Sequence, residues 1–489
     1  MHNLALALHH EGYKVSGSDD EIAEPSRSRL RAEGLLPIHE GWFPEKIDST
    51  IDQVILGMHA RKDNPELLKA IETGIPVFSY PEYLYERSKS KIRIVIAGSH
   101  GKTTITSMIL HVLQDAGIET DYMVGAQLEG FDIMVRMSEN AQFMVMEGDE
   151  YLTSPIDPRP KFIHYHPQIA VISGIGWDHM NVFPTFESYL NQFRLLVSGM
   201  PDSGYLVCFS DDQEVVKLMS ECRCTIVPYS VHPHKSVGGL FSLNLTNGNE
   251  VPLKIFGSHN MANISAALSV CRLMGVSDSL FYESISGFLG ASRRLQLINE
   301  NGLRSVYRDF AHAPSKVKAS VKALREKYPE RTVVACLELH TYSSLSKDFI
   351  DQYRGSRVFS NKRSEIQIFI RTYQIIGNEV QFSIEPTFCI CLVRVKKHYY
   401  AGCTAWCKLC GNLYIKKGLG FIFLKANRLI SCVFHFNLLL KNVTCEYSAK
   451  TKIYTIKCKS KVPNFNLKLF TVIINVLRKE IDLTECQND

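Results

Sequence analysis

Nowhere in its 489 residues does the sequence run through 18 or more apolar residues without interruption, so no segment reads as a membrane-spanning helix. It contains no internal repeat, which excludes solenoids, propellers and coiled-coil arrays. The opening residues, MHNLALALHHEGYKVSG, lack a basic region ahead of an apolar core and lack a small-residue cleavage site. That excludes a secretory leader of the usual form and predicts a cytoplasmic protein. What is present is ordinary for a globular chain: 45% hydrophobic and 21% charged residues, in a length suited to about three domains.

Charge and cysteine are unevenly distributed. The net charge of +5 conceals a division near Ser356: residues 357–489 carry 21 Lys and Arg against 8 Asp and Glu, whereas residues 1–356 carry 34 against 42. Nine of the 14 cysteines also lie beyond Ser356. Two different kinds of sequence therefore join there.

Along the chain, residues 1–88 alternate helix-like and strand-like segments: NLALALHHEG, then YKVSGSD as a short strand, then QVILG and PVFSY. This α/β unit begins inside a helix. The strand and glycine-rich turn that usually open a nucleotide-binding sheet are not found ahead of His2, so the domain is expected to lack its first strand. Residues 91–292 carry strands at IRIVIA, QFMVME and IAVISG, with helices over 103–116 and 259–274. Such alternation implies a parallel sheet, whose ligands gather at the carboxyl ends of its strands. Three polar clusters follow those ends: Gly98 to Thr104, Glu147 to Glu150, and Asp178 with His179. From Arg293 a third α/β segment reads as strand, loop, helix, strand, and after Ser356 the periodicity dissolves.

The chemistry centres on AGSHGKTT, residues 97–104. Gly-Lys-Thr behind a strand indicates a phosphate-binding loop, yet the glycine that should stand five residues before Gly101 is replaced by Ile96. Backbone N–H groups of Gly98, Ser99, His100 and Gly101, with the helix start at Thr103 and Thr104, can cradle phosphate oxygens. Lys102 can reach the terminal phosphates and Thr103 can ligate Mg²⁺, so a nucleoside triphosphate is the expected ligand. Glu147, Asp149 and Glu150 follow an apolar strand, and Glu147 suits a hard Mg²⁺ ion; an exposed acidic turn is the alternative. His179, in WDHMNVFPT, is either a ligand or a structural histidine. His259, Asn260 and Asn263 open a helix, where asparagine can pair with an adenine edge or merely cap the helix. Arg293 and Arg294 suit transferring phosphoryl groups, and Asp309 and His312 lie on a strand-to-loop exit.

Taken together, AGSHGKTT, EGDE, DH, HNMANISAA, RR and DFAHAPS, in this order and at these separations, resemble the Mur ligases, ATP-dependent amide-bond-forming enzymes of peptidoglycan synthesis and recycling. Their shortened phosphate loop has the form found here, and the resemblance covers residues 1–356. It implies a three-domain α/β architecture: a Rossmann-like UDP-sugar domain (1–88), a central P-loop ATPase domain (91–292) and a partial Rossmann-like C-terminal domain (293–356). An atypical tail (357–489) follows.

Within the family, SGSDDEIAEPSRSRL and EGDEYLTSPIDPRPKFIHY are similar to the branch that joins the L-alanyl-γ-D-glutamyl-meso-diaminopimelate tripeptide to UDP-N-acetylmuramate; the sibling branch uses L-alanine. The resemblance further implies ATP on Lys102, the first Mg²⁺ on Thr103 and Glu147, and a second metal between Glu147 and His179. It implies adenine near Asn263, phosphates near Arg294 and nucleotide contact from Asp309. Ser18 and Asp19 remain as possible UDP-sugar contacts. FESYLNQFRLL offers no lysine where some relatives carry a carbamoylated one.

The sequence departs from the family after Ser356, where RVFSNKRSEIQIF replaces the rest of the third domain and has the composition of misjoined sequence, so a relict that binds ATP without turning over is the alternative to a working ligase. In the tail, Cys403, Cys407 and Cys410 have the C-x3-C-x2-C spacing of an iron–sulfur cluster motif, a fourth cysteine or His398 could complete a zinc site, and basic charge interleaved with Tyr and Phe could also serve nucleic-acid binding. In so cysteine-rich a stretch this spacing arises by chance, and a solvated or unfolded tail with no nucleic-acid partner is the expectation.

Overall fold

The computed structural model describes residues 1–338 except Glu129, Pro155, His179, Asn181, Gly302 and Leu303, together with Tyr353 and the backbone of nine strands between 368 and 458. His179, His398, Cys403, Cys407 and Cys410 thus lie outside the described residues. The chain forms two compact units. One comprises Met1–Leu297, Arg308–Pro329 and Gln352–Ser356; the other comprises Ile298–Tyr307, Glu330–Asp351 and Arg357–Asp489.

The first unit begins with α1 (His2–His10), α2 (Ser26–Ala32), β1 (Val54–Leu56), α3 (Pro65–Thr73), β2 (Val77–Ser79) and α4 (Tyr80–Ser88). β1 and β2 pair in parallel. Local sequence sets the helix boundaries. Asn64 caps α3 by accepting from Leu67 N at 3.0 Å, Pro65 follows, and Gly74 ends the helix in the left-handed region at φ 71°. Ser79 and Glu82 form a reciprocal capping box at the start of α4. The strand expected over YKVSGSD is not formed; Asp19 makes only an isolated bridge to Gly41. A strand needs a neighbour to take its backbone bonds, and β1 and β2 pair with each other instead.

A seven-stranded sheet follows. Its elements are β3 (Ile92–Ala97), α5 (Lys102–Asp115), β4 (Thr120–Met123), β5 (Val135–Arg136), β6 (Phe143–Glu147), a hairpin of β7 (Leu152–Ser154) and β8 (Asp157–Pro160), β9 (Ile169–Ile172), α6 (Phe186–Ser198), β10 (Tyr205–Phe209), α7 (Gln213–Met219) and β11 (Thr225–Tyr229). The order in the sheet is β11-β10-β9-β3-β6-β4-β5, parallel except for β5. A small antiparallel sheet of β12 (His234–Val237), β13 (Leu240–Asn244) and β14 (Glu250–Leu253) precedes α8 (Ser258–Leu273) and α9 (Asp278–Gly287).

The core strands are buried on both faces, as the near-continuous apolar runs demand. One face packs Ile94, Ile96 and Val145 against α5, α8 and α9; the other packs Val95, Met144 and Ala170 against Phe162, Tyr189 and Phe193. Chain order reverses around β3, between β6 on one side and β9 on the other. Ligands of open parallel sheets bind at such a switch point, beyond the carboxyl strand ends.

Next come β15 (Gln296–Asn301), β16 (Arg304–Arg308), α10 (Pro314–Lys327) and β17 (Thr332–Glu338). α10 belongs to the first unit. In the second unit β17 pairs in parallel with Ile368–Arg371 and antiparallel with Cys391–Val393, which also pairs with β16. No helix among the described residues is long and apolar enough to cross a membrane.

Phe193 is fully buried between Phe162 and Tyr189, at ring-centroid distances of 5.8 and 5.4 Å. Phe193→Ala should therefore destabilise this unit by about 3–5 kcal/mol, seen as a lower urea midpoint; an unchanged midpoint would show that the face of the sheet beneath α6 is loosely packed.

Candidate phosphate-binding site

Three strand ends meet where the chain order reverses. Gly148 N donates to Ile96 O at 2.8 Å, Ser173 N to Ala97 O at 3.1 Å, and Ser99 N to Gly174 O at 2.9 Å. These backbone bonds tie the ends of β3, β6 and β9 into one rim. Two glycines are obligatory there. Gly98 has φ 116° and a Cβ on it would stand 2.7 Å from Ser173 N, while Gly101 has φ 77° and would press a Cβ onto Asn263 Oδ1. Gly101 is also the N-cap of α5, so its conformation aims the first turn of that helix at the loop.

Lys102 projects back over this loop. Its Nζ donates to Gly98 O at 3.0 Å and to Glu150 Oε2 at 2.9 Å, and lies 3.9 Å from Asp149 Oδ1. Its side chain is 17% exposed and that of Glu150 only 1%. Burial alone would depress the ammonium pKa, but Glu150 and Asp149 overcome it and hold the pKa above its ordinary value. Lys102 is therefore a fixed positive charge.

Glu150 is itself positioned. Tyr189 donates to Glu150 Oε1 at 3.1 Å and shares a 2.7 Å hydrogen bond with Ser99 Oγ, which accepts from Gly176 N at 2.8 Å. A continuous chain thus runs from Lys102 through Glu150 and Tyr189 to Ser99 in the loop. Asp149 is drawn below the usual carboxylate range: burial opposes this, but Lys102 and Lys161 prevail. Lys161 Nζ is 3.4 Å from Asp149 Oδ2.

Glu147 is in a different state. Burial, and then the charge of Asp149, push its carboxyl up to about 7, against hydrogen bonds from Thr103 and from the Gly125 backbone. One of its oxygens, Oε1, is buried with no hydrogen-bond partner. A buried, unsatisfied carboxylate oxygen beside a threonine hydroxyl matches the oxygen donors that a Mg²⁺ ion takes when it also binds phosphates. Thr103 and Glu147 therefore fit that ion.

The remaining residues expected in the site divide into two groups. The ring of His100 is close enough to Lys316 and Asp178 to feel both charges; burial, then Lys316, lowers its pKa to about 4, so it is neutral. Ser173 Oγ donates to the His100 carbonyl. Lys316 Nζ, on α10, donates to Asp178 Oδ2 at 3.0 Å, and His312 Nε2 is 4.0 Å from the same oxygen. This brings the His312 segment to the DH motif.

Across α5, a cleft is lined by Thr104, Lys254, Phe256, Asn260, Gly290 and Arg294. Asn260 lines this cleft, whereas Asn263 packs on Gly101 and donates to Asn260 Oδ1 at 3.3 Å. Arg294 stands 5.1 Å from the Phe310 ring centroid. Asp309 accepts from Leu295 N at 3.3 Å, Phe310 N at 2.8 Å and Ser320 Oγ, so it clasps the segment carrying Arg294 to α10. Ser18 and Asp19 follow α1; Asp19 Oδ1 accepts from the neighbouring Asp20 N at 2.9 Å, and the charges of Asp19 and Lys161 both act on the Met1 amino group.

Sequence reasoning missed Tyr189, Lys161 and Lys316. Tyr189 lies within FESYLNQFRLL, and Lys316 is a helical residue two positions beyond DFAHAP. No local pattern marks either, because each acts through a residue distant in the sequence.

The fold and loop define a P-loop α/β protein. Residues 96–271 match the Mur ligase middle domain, and residues 1–91 match the Mur ligase family catalytic domain. A UDP-N-acetylmuramate–L-alanine ligase from Clostridium kluyveri is 32% identical, over 71% of this chain and 78% of that protein. The UDP-N-acetylmuramate:L-alanyl-gamma-D-glutamyl-meso-diaminopimelate ligase from Neisseria meningitides superposes with TM-score 0.53 at 28% identity, covering 59% of this chain and 94% of that one. The UDP-N-acetylmuramate-alanine ligase of Thermotoga maritima shares the fold, with TM-score 0.55 at 20% identity, covering 72% and 79%. The chain belongs to the Mur ligase family, whose members are ATP-dependent ligases.

Tyr189→Phe should leave Glu150 short of one hydrogen bond in a buried site and cost about 1–3 kcal/mol of stability, measured by thermal or urea unfolding. A cost below a few tenths of that range would mean that the chain from Glu150 to Ser99 is not an organising element of the loop.

Proposed function

We propose that this chain is an ATP-dependent ligase that joins L-alanyl-γ-D-glutamyl-meso-diaminopimelate to UDP-N-acetylmuramate, in the cytoplasm and in peptidoglycan recycling. The observation that carries the ligase reading is the meeting of a permanently charged Lys102 with a buried, half-satisfied Glu147 and Thr103 at the ends of β3 and β6. The 28% identity to the Neisseria enzyme supports the tripeptide as amine substrate. Joining L-alanine instead is the second reading, favoured by the Clostridium relative at 32% identity.

In this reading residues 1–88 hold the UDP-sugar, with Ser18 and Asp19 among its contacts, residues 91–292 hold ATP, and residues 293–356 contribute Asp309 and His312. A carboxylate is a poor electrophile, so the muramate carboxylate first takes the γ-phosphoryl group as an acyl phosphate; the peptide amine then displaces phosphate. The Gly98–Gly101 backbone orients the phosphates, and Lys102 places a charge against them without gaining or losing a proton. Mg²⁺, when bound, would neutralise phosphoryl charge; Thr103 and Glu147 would hold it, and Glu147 with His179 would hold a second metal. Asn260, Asn263 and Arg294 serve the nucleotide.

Phosphate release with ATP, Mg²⁺, UDP-N-acetylmuramate and either the tripeptide or L-alanine tests the proposal. Release that requires the sugar nucleotide and the tripeptide is expected. Release with L-alanine alone selects the second reading, and ATP binding without release means that the chain binds nucleotide but is not a working ligase. Lys102→Ala should lower turnover by about 10²–10³-fold.

Cation binding at Glu147 requires loss of a proton that the carboxyl holds up to a pH of about 7. Apparent Mg²⁺ affinity should therefore rise by about tenfold per pH unit below 7 and level off above it. Calorimetric titration from pH 5.5 to 8.5 measures this, and Glu147→Gln should flatten the profile; a flat wild-type profile would remove Glu147 from the ligand set.

A further inference from the structure

A second cluster of ligating groups lies away from the phosphate loop, where α4 meets the β7–β8 hairpin and the 3₁₀ helix Lys161–Tyr165. Glu82, Asp157 and His164 each present one ligand atom, and these atoms all lie within 4.8 Å of one another. We propose that they form a binding site for a first-row divalent transition-metal ion such as Zn²⁺, Mn²⁺ or Co²⁺, which fastens α4 to the segment Asp157–His164.

The imidazole is the main reason. His164 is 6% exposed, and its Nε2 is buried with no hydrogen-bond partner, although it points at Asp157 Oδ2 from 3.1 Å. The proximity is that of an ion pair, but the angle is not that of a hydrogen bond, so Nε2 keeps its lone pair or proton unsatisfied in a place where water does not reach. A buried imidazole nitrogen without a hydrogen-bond partner is a donor that a metal ion can take.

The two carboxylates are already oriented. Glu82 Oε2 accepts from Ser79 N at 2.9 Å and Ser79 Oγ at 2.7 Å as part of the capping box, leaving Oε1 to face the cluster, 3.6 Å from Arg159. Asp157 is held below the usual carboxylate range: burial opposes this, but Arg159 binds it in a fork at 2.9 and 2.8 Å. Arg159 is 57% exposed. In the absence of the ion its guanidinium supplies the positive charge that two carboxylates require, and the ion displaces it.

One imidazole with two carboxylates is a donor set that suits first-row transition ions better than Mg²⁺, which prefers oxygen alone and keeps its waters. Water would complete the coordination on the exposed Glu82 side. The site also bears on the phosphate loop, because the 3₁₀ helix that carries His164 carries Lys161, which faces Asp149 beside Lys102.

The test is a Co²⁺ titration of the full chain, followed by visible absorption. Cobalt on nitrogen and oxygen ligands gives weak visible bands, whereas cobalt on cysteine adds an intense near-ultraviolet charge-transfer band, which separates this site from the chain's 14 cysteines. Because Co²⁺ can also occupy the Glu147 sites, the titration is read in Glu147→Gln: one equivalent of the nitrogen–oxygen type is expected to remain there, and to be lost when His164→Ala or the isosteric Asp157→Asn is added. Arg159→Ala, an exposed change that should not disturb folding, should tighten Co²⁺ binding by about two- to fivefold. The same stoichiometry and spectrum in wild type, His164→Ala and Asp157→Asn would overturn the proposal. So would unchanged or weaker affinity in Arg159→Ala, even if the buried variants fail to fold.

Discussion

A largely buried ammonium opposite a buried carboxylate organises this molecule. Lys102 can sit beneath the surface because Glu150 faces it at 2.9 Å, and Glu150 in turn accepts from Lys102 on one oxygen and from Tyr189 on the other. Such a pair contributes little net stability, since desolvation offsets the attraction, but removing either partner leaves an uncompensated buried charge at a cost of about 3–5 kcal/mol. Its value is positional. It joins the helix after β3 to the turn after β6, and through Tyr189 and Ser99 it locks the loop between them.

The neighbouring carboxylates divide by their surroundings. Asp149, beside two lysines, stays ionised, while Glu147, buried with one oxygen unsatisfied, holds its proton up to about neutrality. Three acidic residues within four positions thus take three states: a counter-ion, a fixed charge and a carboxyl awaiting a cation. Glycines let side chains close in around this turn: a Cβ on Gly148 would stand 2.5 Å from Val95 Cγ1 and one on Gly125 would stand 2.9 Å from Glu147 Oε2.

Much of the fold was legible beforehand where periodicity is strong. The runs IRIVI, FMVME and IAVI are apolar at every position because each strand is covered on both faces, and that pattern admits no other placement in an α/β chain. YKVSGSD misled for the opposite reason: three alternating residues resemble a strand, but a strand exists only if a neighbour pairs with it. The phosphate loop was legible because glycine, lysine and threonine have fixed geometric duties. Asn260 and Asn263 were not separable, since residues three apart share a helix face, and only the packing of α8 on Gly101 puts one in the cleft and the other beneath the loop.

By itself the sequence determined the parallel sheet, the position of the phosphate loop at the end of β3, the acidic turn after β6 and the change in composition near Ser356. These are encoded in contiguous residues, where burial, backbone conformation and residue type act locally. The tertiary structure decided which carboxylate pairs with Lys102, which is left to hold a proton, and how Lys316 meets Asp178 across 138 residues of chain. It also set His164 against Glu82 and Asp157. Electrostatic roles depend on distance and burial, and both are properties of the folded packing that no window of sequence contains.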